Sequence, residues 1–114
     1  MTSGSACGLD QKKCVPCEGG VTPLSREEAQ KLLAEVPGWE FAKEGRAISR
    51  RFKFKNFKQA LAFVNKVGEV AETEGHHPDI GLGWGYAEML LWTHSIGGLH
   101  ENDFVMAHKI NALN

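Results

Sequence analysis

Apolar residues recur along this 114-residue chain with two periods, one near 3.6 and one of 2, and the switches between them predict its elements. Ser25-Arg26-Glu27-Glu28 has the form of a capping box, and Ala29, Leu32, Leu33 and Val36 follow at helical spacing until Pro37-Gly38 stops the run. From Trp39 to Lys43 apolar and polar residues alternate, Glu44-Gly45 signals a turn, and Ala47 to Phe54 alternates again, which predicts a β-hairpin. Asn56 is placed to cap a long helix whose apolar stripe is Phe57, Ala60, Leu61, Val64, Val67 and Ala71, widened by Phe63 and Val70. Gly75 suits the left-handed position that ends such a helix.

From Ile80 to His94 the pattern predicts two strands around a tight turn at Gly85-Tyr86. On the second strand Ala87, Met89, Leu91 and Thr93 point one way, and Glu88, Leu90, Trp92 and His94 the other. A last helix is predicted from His100 or Glu101, with Glu101 and Asp103 in its first turn and Met106, Ala107, Ile110 and Leu113 inward. The order helix, hairpin, helix, hairpin, helix lacks the strand–helix–strand alternation of parallel sheets. It predicts an α+β fold, a four-stranded antiparallel sheet with three helices on one face. Leu90 and Trp92 on the other face then need a ligand or a second subunit to shield them, so self-association is expected.

Length allows one domain with a single core. Residues 1–22 show no apolar period and are expected to be an arm preceding a domain at 23–114. Thirteen basic against fourteen acidic side chains give a formal net charge of −1, so no global field draws the chain to nucleic acid or to an anionic membrane. The start, Met1 to Ala6, lacks the basic and apolar regions of a secretory signal, and no later segment approaches a membrane span; a cytoplasmic protein is expected. Cys7, Cys14 and Cys17 all lie in the arm, where Cys14-Val15-Pro16-Cys17 reads as half of a zinc site, a redox pair or an inert leader.

Chemistry concentrates in Glu74-Gly75-His76-His77-Pro78-Asp79. The C-terminal end of the preceding helix and the carboxylates Glu72, Glu74 and Asp79 favour a proton on one imidazole, whose charge discourages a second on its neighbour. Such a pair supplies one proton donor and one acceptor at the same pH. Adjacent residues point apart, however, unless the backbone turns between them, and Pro78 restricts His77 to extended conformations. An isolated His-His-Pro is commonly a surface loop. The hairpin, though, returns His94 to the neighbourhood of Ile80, so His76, His77 and His94 are expected to converge. A metal reading gains nothing from the spacing, which contains no His-Glu-x-x-His and no helical i, i+4 pair. Trp39 reads as core or as a platform for a flat heterocycle; Phe104 and Trp84 carry the same alternatives, and Trp84 also that of an interface residue.

Together these residues resemble the pterin-4a-carbinolamine dehydratase family. Its signature is matched by Glu72, His76-His77-Pro78, Trp84, His94 and Asp103-Phe104, with Pro37-Gly38-Trp39 and the run from Phe52 to Phe57 also similar. The likeness extends from about residue 23 to the C-terminus and is strongest to bacterial members with Glu-Gly-His-His-Pro and Gly-Leu-His-x-Asn-Asp-Phe. It implies dehydration of a 4a-hydroxytetrahydropterin to quinonoid dihydropterin, recycling the cofactor of an aromatic amino acid hydroxylase, with no metal or organic cofactor in the dehydratase itself. It implies His76 and His94 as acid–base residues and His77 as a residue that positions the pterin. Pro78, Thr93 and Ser95 would line the pocket, Glu72 and Asp103 would orient imidazoles, and Trp39 would flank the ring. A homodimer or homotetramer is implied too. The competing class is an interaction protein, since some relatives serve as dimerisation partners of a transcription factor or in carboxylase assembly. Gly75 and Asn102 depart from residues common in other members, which bears on pterin side-chain preference.

Overall fold

Two hairpins join through their second strands into one sheet, and helices before, between and after them cover one side of it. The computed structural model describes residues 22–114. Except for Thr22, the expected arm, with Cys7, Cys14 and Cys17, lies outside the described residues. In chain order the elements are helix α1 (Arg26–Leu33), strands β1 (Glu40–Ala42) and β2 (Ala47–Lys53), helix α2 (Phe57–Glu74), strands β3 (Asp79–Gly83) and β4 (Tyr86–Leu91), and helix α3 (Glu101–Ala112). The strands run β1-β2-β4-β3 across the sheet, each antiparallel to its neighbour. This is the expected α+β fold.

Register decides which side is core. Ile48 pairs with Leu91, Arg50 with Met89 and Phe52 with Ala87, and of these all but Arg50 are buried with residues from every helix. Ala29 comes from α1, Phe63, Val67 and Ala71 from α2, and Phe104, Met106, Ala107 and Ile110 from α3. Each large side chain removed from water in this way contributes about 1.5–3 kcal/mol. The opposite face carries Ser49, Arg51 and Lys53 beside Glu88 and Leu90.

Helix boundaries follow local chemistry. Ser25 Oγ accepts the Glu28 N–H at 3.2 Å while Glu28 Oε1 accepts the Ser25 N–H at 2.9 Å, completing the capping box. Asn56 Oδ1 accepts the Gln59 N–H at 2.9 Å at the start of α2. At its end Gly75 takes φ 68°, where an L side chain would be strained. Gly38 takes φ 88° in a second tight turn, which Arg50 and Asn111 clamp. Arg50 Nη1 donates to Pro37 O at 3.0 Å and to Asn111 Oδ1 at 2.7 Å, and Asn111 Nδ2 donates to Pro37 O at 3.1 Å.

Two expectations need correction. The apolar period puts Phe57 and Leu61 on the buried stripe of α2, yet they are 43% and 40% exposed. Ala60, Phe63, Val67 and Ala71 form a narrower line rotated away from them. The second hairpin turns at Trp84-Gly85 rather than Gly85-Tyr86, because Gly83 pairs with Tyr86 and the positive φ of Gly85 falls at the second loop position. Trp84 therefore stands at the tip, 73% exposed, and is no core residue. Phe104, by contrast, is fully buried.

Candidate functional site

His76 owes its place to the way α2 stops. With Gly75 in the left-handed region, the N–H groups of Gly75 and His76 both reach Ala71 O, at 2.9 and 3.2 Å, so the backbone entering the histidine pair is fixed. From there His76 Nε2 meets Asp103 Oδ1 at 2.6 Å. The other oxygen, Oδ2, accepts the Thr93 hydroxyl at 2.9 Å and the His100 N–H at 3.0 Å. Asp103 is fully buried, and both of its oxygens are engaged. One carboxylate thus ties together the end of α2, the end of β4 and the start of α3.

The same bonds build the start of α3. His100 is its N-cap: His100 Nδ1 accepts the Asn102 N–H at 3.0 Å, and Asp103 reaches back to the His100 N–H as the third residue of the helix. The spacing of an N-cap and an acidic residue three positions on was visible in the sequence. An imidazole as the capping acceptor, and Thr93 as a second donor to Asp103, were not.

His77 turns the other way. Its Nε2 lies 2.5 Å from Glu72 Oε2, in a pair exposed to solvent. A carboxylate only accepts, so in both pairs Nε2 carries the proton and Nδ1 is the nitrogen left for other work. Pro78 follows, half-buried, and leads into β3.

His94 lies just past β4, which ends at Leu91 rather than running on to the histidine. Thr93 and Gly98 form an isolated antiparallel bridge, with Thr93 N–H to Gly98 O at 2.9 Å, and a short turn over His94–Ile96 sits inside it. Both His94 and Ser95 are exposed on that turn. The His94 ring packs edge to face on Trp92, with centroids 4.2 Å apart. Asp103 therefore brings His76 to Thr93, the residue next to His94, whereas His77 is held separately by Glu72.

Trp39 takes the core alternative. It is 5% exposed, edge-on to Phe52, with its indole N–H donating to Asn111 Oδ1 at 2.8 Å. Asn111 lies eight residues beyond Asp103 on α3, about 12 Å along the helix axis. Burial leaves little of the indole open for the alternative reading, a platform flanking a flat ring.

One groove crosses the open side of the sheet, lined by Glu40, Ser49, Arg51, Asp79, Glu88 and Leu90. A roomier one runs along α2 beside Glu72 and reaches Ile80 of β3. The histidines line neither: His76 is largely buried against Asp103, while His77 and His94 stand exposed. Among the described residues no three His, Cys, Asp or Glu side chains converge as a metal-ligand set, and no helix is long and apolar enough to cross a membrane.

An antiparallel sheet backed by three helices, with imidazoles fixed by carboxylates where a helix end meets a strand end, defines a class of small α+β proteins. Comparison specifies the class further. Residues 22–113 match the family model for pterin 4 alpha carbinolamine dehydratase. A Methylococcus capsulatus protein provisionally named pterin-4-alpha-carbinolamine dehydratase is 56% identical over 108 residues, 95% of each chain. A Halorhodospira halophila protein under the same provisional name is 58% identical over 105 residues, covering 92% of this chain and 96% of its own. Among solved structures, the transcriptional coactivator/pterin dehydratase of Brucella melitensis superposes with a TM-score of 0.77 at 35% identity, over 81% of this chain and 98% of its own. A pterin dehydratase-like protein identified as a RuBisCO assembly factor in the alpha-carboxysome superposes with a TM-score of 0.58 at 25% identity, over 67% and 88%. The chain belongs to the pterin-4-alpha-carbinolamine dehydratase family.

Proposed function

We propose that the protein dehydrates a 4a-hydroxytetrahydropterin to the quinonoid dihydropterin, returning the cofactor of an aromatic amino acid hydroxylase to use. The observation that carries this reading is the Asp103 hub, which fixes His76 and the strand end before His94 from three separate elements. The reaction removes one water. An acid protonates the hydroxyl on C4a, the C4a–O bond breaks, a base takes the N5 proton, and the electron pair of that N–H bond becomes the C4a=N5 double bond.

His76 and His94 are assigned the two proton transfers. His76 would work through Nδ1, with Asp103 orienting the ring and balancing charge on it, as buried carboxylates do for catalytic histidines. His77, steadied by Glu72, contacts the pterin from the exposed side, and Pro78 and Ser95 border it. Thr93, its hydroxyl committed to Asp103, anchors the site rather than touching substrate. The relatives' names and the family match support the dehydratase reading, and the residue roles are argued from the contacts of His76, His77 and Thr93.

Self-association as a homodimer or homotetramer is part of the proposal. Leu90 lies on the open sheet face, and Phe57, Leu61 and Ile80 are large apolar side chains exposed on the single chain. Light scattering on the purified protein tests it; a monomer at micromolar concentration contradicts it. The activity is tested by decay of the 4a-carbinolamine absorbance, which the protein should accelerate over buffer. A protein without that effect belongs instead with the interaction proteins of the family.

A further inference from the structure

We propose that Trp92 is a positioning residue for His94, a role that rests on the proton-transfer assignment above. Among the described residues no hydrogen bond engages the His94 imidazole, although the backbone on either side is fixed by the Thr93–Gly98 bridge and by Gly97 N–H donating to His94 O at 3.2 Å. An exposed side chain on a fixed backbone still rotates about its own bonds. A ring that moves a proton must nevertheless reach its partner atom to within hydrogen-bond distance.

The ring that restrains it is Trp92. Thr93 between them is extended, so residues 92 and 94 project to one side, and their rings meet at 4.2 Å between centroids with 63° between planes. This is the edge-to-face arrangement that aromatic quadrupoles favour. The indole is held in turn from the first hairpin, where Lys43 Nζ lies 5.5 Å from its centroid, within cation–π range. Lys43 and Glu44 both adopt left-handed backbone, with φ of 50° and 57°, so the turn that carries this ammonium is strained. Trp92 Nε1 is buried without a hydrogen-bond partner. Packing, not hydrogen bonding, therefore places the indole.

The chemical consequence separates His94 from the other two histidines. His76 and His77 each have Nε2 committed to a carboxylate. The contact with Trp92 restrains the His94 ring plane yet takes neither nitrogen, leaving both for proton transfer. Trp92 thus does for His94 what Asp103 does for His76, without altering which ring nitrogen carries the proton.

The test compares wild type with Trp92→Leu and Trp92→Phe, using steady-state dehydration of 4a-hydroxytetrahydropterin and NMR of the His94 ring protons, with light scattering to hold oligomeric state constant. The proposal expects His94 ring signals displaced by the indole ring current in wild type and released in Trp92→Leu. It expects kcat roughly 10- to 100-fold lower in Trp92→Leu with KM nearly unchanged, and most of the rate restored in Trp92→Phe, which keeps an aromatic face. An active wild type with equal kcat in Trp92→Leu overturns the positioning role, whatever the NMR shows. Equal losses in both variants also overturn it, since a merely structural residue would behave that way. A wild type without dehydratase activity overturns instead the assignment on which the role rests, and the ring signals then report the contact alone.

Discussion

His76 Nε2 and Asp103 Oδ1 lie 2.6 Å apart although the two residues are 27 positions apart in the chain. The pair is mostly shut off from solvent, with 13% of the His76 side chain and none of the Asp103 side chain exposed. Asp103 spends its second oxygen on Thr93 and His100, so one side chain serves helix capping, strand anchoring and imidazole orientation at once. Asp103→Asn keeps the shape but substitutes an amide N–H₂ for one accepting oxygen, setting donor against donor on one side. The variant should lose about 1–3 kcal/mol of stability by urea denaturation, and more than tenfold in kcat for its folded fraction. Wild-type stability and rate together would show that the hub is not needed.

Glu72 and His77 provide the contrast. Their contact is as short as that of His76 with Asp103, but it is exposed to solvent. Exposed ion pairs contribute about 0–1 kcal/mol, so Glu72→Gln should leave the denaturation midpoint almost unmoved. Activity should fall less than in Asp103→Asn. A Glu72→Gln variant as impaired as Asp103→Asn would place the main proton transfer at His77 and reverse the assignment made here.

Gly38 tests the clamp far from the histidines. Its φ of 88° is strained for any L side chain, and a Cβ there would lie 2.6 Å from Arg50 Nε. Gly38→Ala should therefore destabilise the fold by about 1–3 kcal/mol, read from the midpoint of chemical denaturation. KM and kcat of the folded protein should be retained, since the clamp meets α3 at Asn111, about 12 Å along the helix from Asp103.

The capping box of α1 makes a pH-dependent contribution. Hydrogen bonding from the Ser25 backbone N–H, followed by that of its side chain, holds the Glu28 carboxyl below its ordinary value. A depressed folded value means the stabilisation is present above the unfolded value and is lost as pH falls through the folded one. Glu28→Ala should be less stable than wild type at neutral pH, with the gap narrowing in acid. Denaturation midpoints at both pH values check this, and a gap that widens in acid would contradict it.

The helices and hairpins were legible because their determinants are local. Ser25 with Glu28, Asn56 before Phe57 and Gly75 after Glu74 are caps that act within a few residues, and each forms as the sequence implies. Exposure of Phe57 and Leu61 was not legible, because the rotation of α2 is set by which strands it meets, and the β2–β4 pairing that decides this is non-local. The one-residue shift of the second turn has the same origin: Gly83 and Tyr86 pair across it, which no short-range rule required. At the site, the three histidines and Asp103 stand out by residue type. The contacts of Thr93 with Asp103 and of Trp92 with His94 depend on tertiary geometry, although strand alternation already put Trp92 and His94 on one side. Trp39 carried two meanings until Asn111 took its indole N–H.

The central claim is that His76 and His94 move the protons in pterin dehydration. Its most direct measurement is the decay of 4a-hydroxytetrahydropterin absorbance with wild type, His76→Ala and His94→Ala, each confirmed as folded by circular dichroism. Wild type should accelerate the decay, and each substitution should lower kcat by about 10²–10⁴-fold. Folded variants that retain the wild-type rate would contradict the claim.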